Sequence, residues 1–258
     1  MIQQVTLIGA GNLATQMGKA LLKAGVKIIQ VYSRTEEAAR ELAAVLDTDY
    51  TNESEKINLS ADLVLVAVKD DAIESILAKL ECRQVKIAHT AGSVPLNVLE
   101  GYSDHCGVFY PLQTFSKSRE VNFREIPVCV EANSAEMLHE LKDLAMKISE
   151  NVCEINSTER EILHLSAVFT CNFVNHFYFL GADLLKENNL SFNLLKPLIL
   201  ETAAKVMELN PYAAQTGPAI RYDETIINKH LNLLETQPEL RKIYSFVSES
   251  IFLAHKKA

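Results

Sequence analysis

The chain has 258 residues, 48% of them apolar, and a net charge of −8. That length allows two modest domains or one large one, with a core that needs no covalent staples. The acidic balance argues against a nucleic-acid partner, whose phosphates it would repel, and no apolar run approaches the ~18 residues that span a bilayer.

The five cysteines, Cys82, Cys106, Cys129, Cys153 and Cys171, are single and widely spread. Without a C-x-x-C pair they indicate neither a zinc site nor a disulfide framework, and free thiols of this kind fit a reducing compartment. Met1 to Gly9 runs into a strand with no basic leader or cleavage site. A cytoplasmic protein without a metal is therefore expected.

Val5 to Ile8 is a short β-branched run followed by Gly9-Ala10-Gly11-Asn12-Leu13-Ala14, after which Met17, Leu21 and Leu22 recur at helical spacing until Gly25. Strand, glycine turn and helix in that order are the setting in which G-x-G-x-x-A signals a dinucleotide. Gly9 permits the tight turn, Gly11 lets the backbone approach a pyrophosphate, and Ala14 allows close packing of helix on strand. The phosphates then meet free N–H groups at the helix start.

The next strand, Lys27 to Tyr32, ends in Ser33-Arg34-Thr35. An NAD site usually has an acid here to accept from the ribose 2′-hydroxyl. Glu36 and Glu37 come later, in the first turn of a helix running to Leu46. Arg34, flanked by the Ser33 and Thr35 hydroxyls, instead suits a 2′-phosphate and so NADP. Thr35 also reads as a helix N-cap.

Ala61 to Val68 is a nearly continuous apolar strand, as in a parallel sheet covered on both faces. Lys69-Asp70-Asp71 closes it, with Asp70 as N-cap of a helix from Ala72 to Leu80. Val85 to Ala88 is a further strand, leading into His89-Thr90-Ala91-Gly92-Ser93. Both loops fall at carboxyl ends of strands, where open α/β sheets bind ligands. Val68, Lys69, His89 and Thr90 are thus cofactor-site candidates, and His89 either faces the nicotinamide or anchors its loop. Strands at Gly107 to Tyr110 and Ile126 to Glu131 flank the loop Tyr110-Pro111-Leu112-Gln113-Thr114-Phe115, and a helix spans Ala135 to Glu150.

From Ser157 the strand-like runs stop. Helices are expected over Thr158 to Glu187, Phe192 to Leu209, Asp223 to Glu235 and Pro238 to His255. The fold class is therefore α/β, a doubly wound Rossmann-type domain over residues 1–154 followed by an all-α domain over 155–258. The first of these helices is apolar nearly all round, which places it between neighbours or inside a homodimer. On it lie His164, Asn172 and Asn175; at about 100° per residue, Asn175 falls roughly 20° and Asn172 roughly 80° from His164. These polar groups either satisfy one another or line a substrate cleft. In Thr216-Gly217-Pro218-Ala219-Ile220-Arg221-Tyr222-Asp223, Asp223 reads as an N-cap, and Arg221 either holds a substrate carboxylate or pairs with Asp223 or Glu224.

The glycine motif with Ser33-Arg34-Thr35 resembles pyrroline-5-carboxylate reductases. Tyr110-Pro-Leu-Gln-Thr-Phe115, His164 through Asn172, and Thr216-Gly-Pro-x-x-Arg221-x-Asp223 with His230-Leu231 resemble a Rossmann-like oxidoreductase family with a helical C-terminal domain, related also to deazaflavin-dependent NADP oxidoreductases. The chain departs from that pattern at Tyr110, where histidine is usual. It also lacks the lysine that hydroxyacid dehydrogenases carry four residues before an asparagine, since Val168 stands four before Asn172. The resemblance implies NADP binding and a dimer-forming second domain. The residues together suggest an NADP(H)-dependent oxidoreductase of a small carbonyl or imine, with His164 as proton donor, Asn172 orienting the substrate and Arg221 holding an acidic group. The alternatives are a non-catalytic dinucleotide-binding sensor or scaffold, and a reductase of a deazaflavin.

Overall fold

The computed structural model describes residues 1–256. Two compact units divide the chain, Met1–Cys171 and Asn172–Ala258.

The first unit is an eight-stranded sheet. Its strands are β1 (Gln4–Ile8), β2 (Lys27–Tyr32), β3 (Asp49–Thr51), β4 (Leu63–Val66), β5 (Lys86–His89), β6 (His105–Pro111), β7 (Val128–Ala132) and β8 (Val152–Glu154). They lie in the order β3-β2-β1-β4-β5-β6-β7-β8, and every neighbouring pair is parallel except β6 with β7. Its helices are α1 (Asn12–Lys23), α2 (Glu36–Leu46), α3 (Ile73–Leu77), α4 (Asn97–Glu100), α5 (Ala135–Ile148) and α6 (Ser157–Ala167). This is the doubly wound Rossmann-type arrangement expected from the sequence. The chain reverses its direction of travel between β1 and β4, the place where such sheets open a ligand crevice.

Alternation along the strands divides the core into two apolar layers. Val5 and Leu7 of β1, Leu63 and Leu65 of β4, and Phe109 of β6 face one layer, with α1, α2 and α5. Ile8, Val64, Val66, Val108 and Tyr110 face the other. The three-residue strands β3 and β8 escaped the sequence reading because short edge strands carry no periodic apolar signal. The helix expected over Ala72 to Leu80 is reduced to a 3₁₀ turn, Asp70–Ala72, and the five-residue α3. Asp70 does not cap it; its carboxylate accepts from the Ser93 hydroxyl, which ties the loop after β4 to the loop after β5.

The second unit contains α7 (Val174–Glu187), α8 (Lys196–Glu208), α9 (Pro211–Ala214), α10 (Glu224–Leu233) and α11 (Pro238–Lys256). The single helix expected over Thr158 to Glu187 is interrupted by a π-helical turn, Val168–Phe173. The 100° spacing that grouped His164 with Asn172 and Asn175 therefore does not hold across it. Nor is this apolar helix buried within the single chain: Ile162, Leu165, Phe177 and Phe179 are all exposed.

Candidate functional site

The turn after β1 is built for close approach. Gly9 has a φ of +122°, and a Cβ there would fall 2.2 Å from the Ala67 carbonyl oxygen, so no side chain fits. Its amide donates to the Tyr32 carbonyl at 2.8 Å, and the Ala67 amide donates to the Ile8 carbonyl at 2.7 Å, which locks the three strand ends together. Gly11 is the N-cap of α1; nothing lies within 4 Å of the position its Cβ would take, and no side chain caps the helix. The first N–H groups of α1 are consequently left for a ligand. Asn12 and Leu13 open the helix, and Ala14 is fully buried where helix meets sheet. A further glycine, Gly18, sits where a Cβ would meet Leu46 at 2.8 Å, which lets α1 pack on α2.

A cleft of about 290 Å³ opens beside this turn, lined in part by Gly9, Gly11, Ser33, Arg34, Val68 and Lys69. Three strand ends thus converge on it. Lys79 also lines the cleft, a cation the sequence reading missed because it stands outside any motif. Among the described residues none of Arg34, Lys69 and Lys79 is engaged in an ion pair. Thr35 occupies the N-cap position of α2 without a side-chain bond.

His89 and Thr90 are not presented to this cleft. Thr90 is buried and its amide donates to the Val66 carbonyl at 3.1 Å. The His89 ring is 0% exposed, and its Nδ1 accepts from the Ala91 amide at 3.2 Å. Burial, and then the neighbouring Arg160 guanidinium, push His89 down to about 4, against a smaller opposing pull from the Pro95 carbonyl. Its Nε2 meets no partner in hydrogen-bond geometry. The enclosed ring holds its loop through the Ala91 amide.

Arg160, fully buried on α6, is the organising charge behind that loop. It pairs with Glu131 of β7 and donates to the Val94 carbonyl at 2.6 Å and to the Ser157 hydroxyl at 3.2 Å. Asn156 and Glu159 form a reciprocal capping box at the start of the same helix. One turn further on, His164 lies against Gly92, and its Nδ1 is 3.0 Å from the Tyr110 hydroxyl. Burial pushes the Tyr110 phenol up to about 12, with Cys129 adding to the effect.

A protein from Bacteroides fragilis, provisionally described as an NADP oxidoreductase, is 50% identical to this chain with a TM-score of 0.92, covering 97% of this chain and 98% of that one. The chain belongs to this NADP oxidoreductase family. Residues 4–90 match the family described as NADP oxidoreductase, coenzyme F420-dependent, and residues 126–251 match a domain of unknown function, DUF2520. More distant in sequence are a Thermotoga maritima protein (20% identity, TM-score 0.73, 98% of both chains) and an imine reductase from Myxococcus stipitatus in complex with NADP+ (15% identity, TM-score 0.65, 99% of this chain and 93% of that one). These two share the fold. No curated protein matches the chain.

In the second unit, Asn172 is exposed within the π turn and Arg221 is exposed in the loop before α10. Arg221 does not pair with Asp223 or Glu224; Asp223 caps α10 by accepting from the Ile226 amide at 3.2 Å. Gly217 has a φ of +105° and Tyr222 one of 51°, so this loop is tightly turned. His230 bonds through Nδ1 to the Tyr244 hydroxyl at 2.8 Å. Among the described residues no helix is long and apolar enough to cross a membrane.

Proposed function

We propose that the chain is an NADP(H)-dependent oxidoreductase of a small carbonyl or imine compound. The observation that carries this is the cleft between β1 and β4, with Arg34 on one wall and a glycine cradle at the uncapped start of α1 on another. The cradle fits a pyrophosphate, because Gly11 leaves open space and Gly9 keeps the turn tight. Arg34, standing where an acid would select NAD, fits a 2′-phosphate. NADPH supplies a hydride when bound.

The chain's own residues do the rest. Gly9, Gly11, Asn12, Leu13 and Ala14 form the phosphate turn; Ser33, Arg34 and Thr35 select the 2′-phosphate; Val68 and Lys69 flank the opposite wall. His164 delivers the proton that completes reduction. The fold shared with an imine reductase and with pyrroline-5-carboxylate reductases supports a C=N or C=O substrate. Residues 155–258 form the substrate-binding and dimer-forming half. Exposed Phe177, Phe179, Leu190, Leu194, Leu198 and Leu200 of the second unit are more apolar surface than a monomer normally leaves in water, and a second copy of the chain covers them. Light scattering at micromolar concentration gives a dimer mass; a monomer removes that assignment.

The deciding experiment titrates the protein with NADPH and NADH. NADPH binds more tightly, and Arg34→Ala weakens NADPH by about ten- to a hundredfold, the loss of a charge-assisted contact of roughly 1.5–3 kcal/mol, with little change for NADH. NADPH oxidation is then followed with cyclic imines, small carbonyls and a deazaflavin as acceptors. Binding without turnover of any acceptor favours the sensor or scaffold. Binding of neither dinucleotide refutes the reading.

A further inference from the structure

Tyr110 stands in β6 two residues beyond Val108, the register partner of His89, and so reaches the carboxyl edge of the parallel strands. Its ring is buried, and its hydroxyl lies 3.0 Å from Nδ1 of His164. The two rings meet edge to face at 6.1 Å. From the other side, a Cβ on Gly92 would fall 2.5 Å from the same Nδ1 and 2.7 Å from Cγ. The imidazole therefore rests on backbone where only a glycine leaves room. One nitrogen of His164 is enclosed by the phenol and the glycine, while Nε2 has no hydrogen-bond partner among the described residues.

A phenol pushed up to about 12 keeps its proton at neutral pH, and the acceptor it meets among the described residues is Nδ1 of His164. A neutral His164 either receives the Tyr110 hydrogen at Nδ1 and carries its own on Nε2, or donates from Nδ1 to the phenol oxygen; in both cases Nδ1 is committed to Tyr110. We propose that Tyr110 is a positioning residue for the reduction: by committing Nδ1 of His164 to the protein, it makes Nε2 the nitrogen that meets the substrate. This rests on the reading of His164 as proton donor.

The step balances in protons and electrons. The substrate carbon gains the hydride, the C=O or C=N π pair moves onto the heteroatom, and the heteroatom takes the Nε2 proton of a protonated ring. The ring is left neutral with its hydrogen on Nδ1, facing the Tyr110 oxygen, and solvent returns a proton to Nε2. The phenol serves as acceptor in that state and as donor in the resting one, by rotation of its O–H.

The test is nitrogen–proton correlation spectroscopy of the full chain carrying isotope-labelled histidine, as wild type and as Tyr110→Phe, with NADPH titration as the control for folding. In the wild type, His164 shows a hydrogen-bonded signal for Nδ1. Tyr110→Phe moves the Nδ1 signal to its unbonded position and leaves NADPH affinity unchanged, because Tyr110 is not part of the dinucleotide cleft. Identical His164 signals in the two proteins, or a wild-type Nδ1 signal at its unbonded position, overturn the proposal. If Tyr110→Phe does not fold, the wild-type spectrum alone decides. With a reducible imine or carbonyl in hand, Tyr110→Phe lowers kcat about tenfold or more, the low end of general-acid effects, with KM for NADPH unchanged. The spectra do not depend on turnover: a hydrogen-bonded Nδ1 with no reducible substrate sinks the functional reading, whereas wild-type turnover by Tyr110→Phe sinks the positioning role.

Discussion

Replacing His89 by asparagine should flatten the pH dependence of folding stability on the acid side of neutrality. The imidazole is fully enclosed and shares its surroundings with the buried guanidinium of Arg160. Protonating it in the folded state would cost both hydration and charge repulsion. The folded pKa is depressed from 6.5 to about 4. Below 6.5 the unfolded chain takes up a proton that the folded chain refuses until about 4, so stability rises with pH across that window. Read downward, acidification from 6.5 removes up to about 3 kcal/mol, the roughly 2.5-unit depression at 1.36 kcal/mol per unit, and the loss levels off below about 4. Asparagine does not titrate and keeps an acceptor for the Ala91 amide. The assay is a set of urea unfolding curves for both proteins at half-unit steps across the window. Carboxylates common to both cancel in the difference between the two profiles. Parallel profiles would show that His89 is protonated, or exposed, in the folded protein, and the account of its burial would be wrong.

Arg160→Met should cost about 3–5 kcal/mol, because it leaves the Glu131 carboxylate without its cation in a mostly dry site. Differential scanning calorimetry would read this as a drop of roughly 6–20 °C, and the double change with Glu131→Leu should recover a large part of it; a loss below about 1 kcal/mol contradicts the burial. Gly9→Ala forces a side chain onto the Ala67 carbonyl at a φ of +122°, so NADPH affinity should fall about tenfold or more, given a strain of about 1–3 kcal/mol. Unchanged affinity would mean that the turn does not hold the dinucleotide. Among the thiols, burial raises Cys82, pushes Cys106 up to about 11 and pushes Cys129 up to about 12. Mass spectrometry of partly alkylated protein at mildly basic pH should therefore find exposed Cys171 modified before these three. Early labelling of Cys129 would disprove its enclosure.

The dinucleotide half was legible in the sequence because its determinants are local. A β-branched run, two glycines and a helical repeat within the first 25 residues specify a strand, a tight turn and an open helix start. Ser33-Arg34-Thr35 follows in the next strand end, and the parallel order of β1, β2 and β4 brings both segments and Val68-Lys69 to one cleft. Periodicity carried the second half only as far as helices. The π turn at Val168–Phe173 has no propensity signature, and it undid an argument that assumed uniform rotation along the helix.

What the sequence settles by itself is chain-local: which segments are strands and helices, and where glycine is required. Tertiary structure alone decides partners distant in sequence. His89 and His164 are indistinguishable as isolated histidines at plausible sites. The fold seals the first beside Arg160 and lays the second on Gly92 with Tyr110 at its Nδ1. The physical reason is that protonation and hydrogen bonding depend on desolvation and on neighbours a few ångströms away. Those neighbours are fixed by strand order, with Tyr110 and His164 meeting across 54 residues of chain.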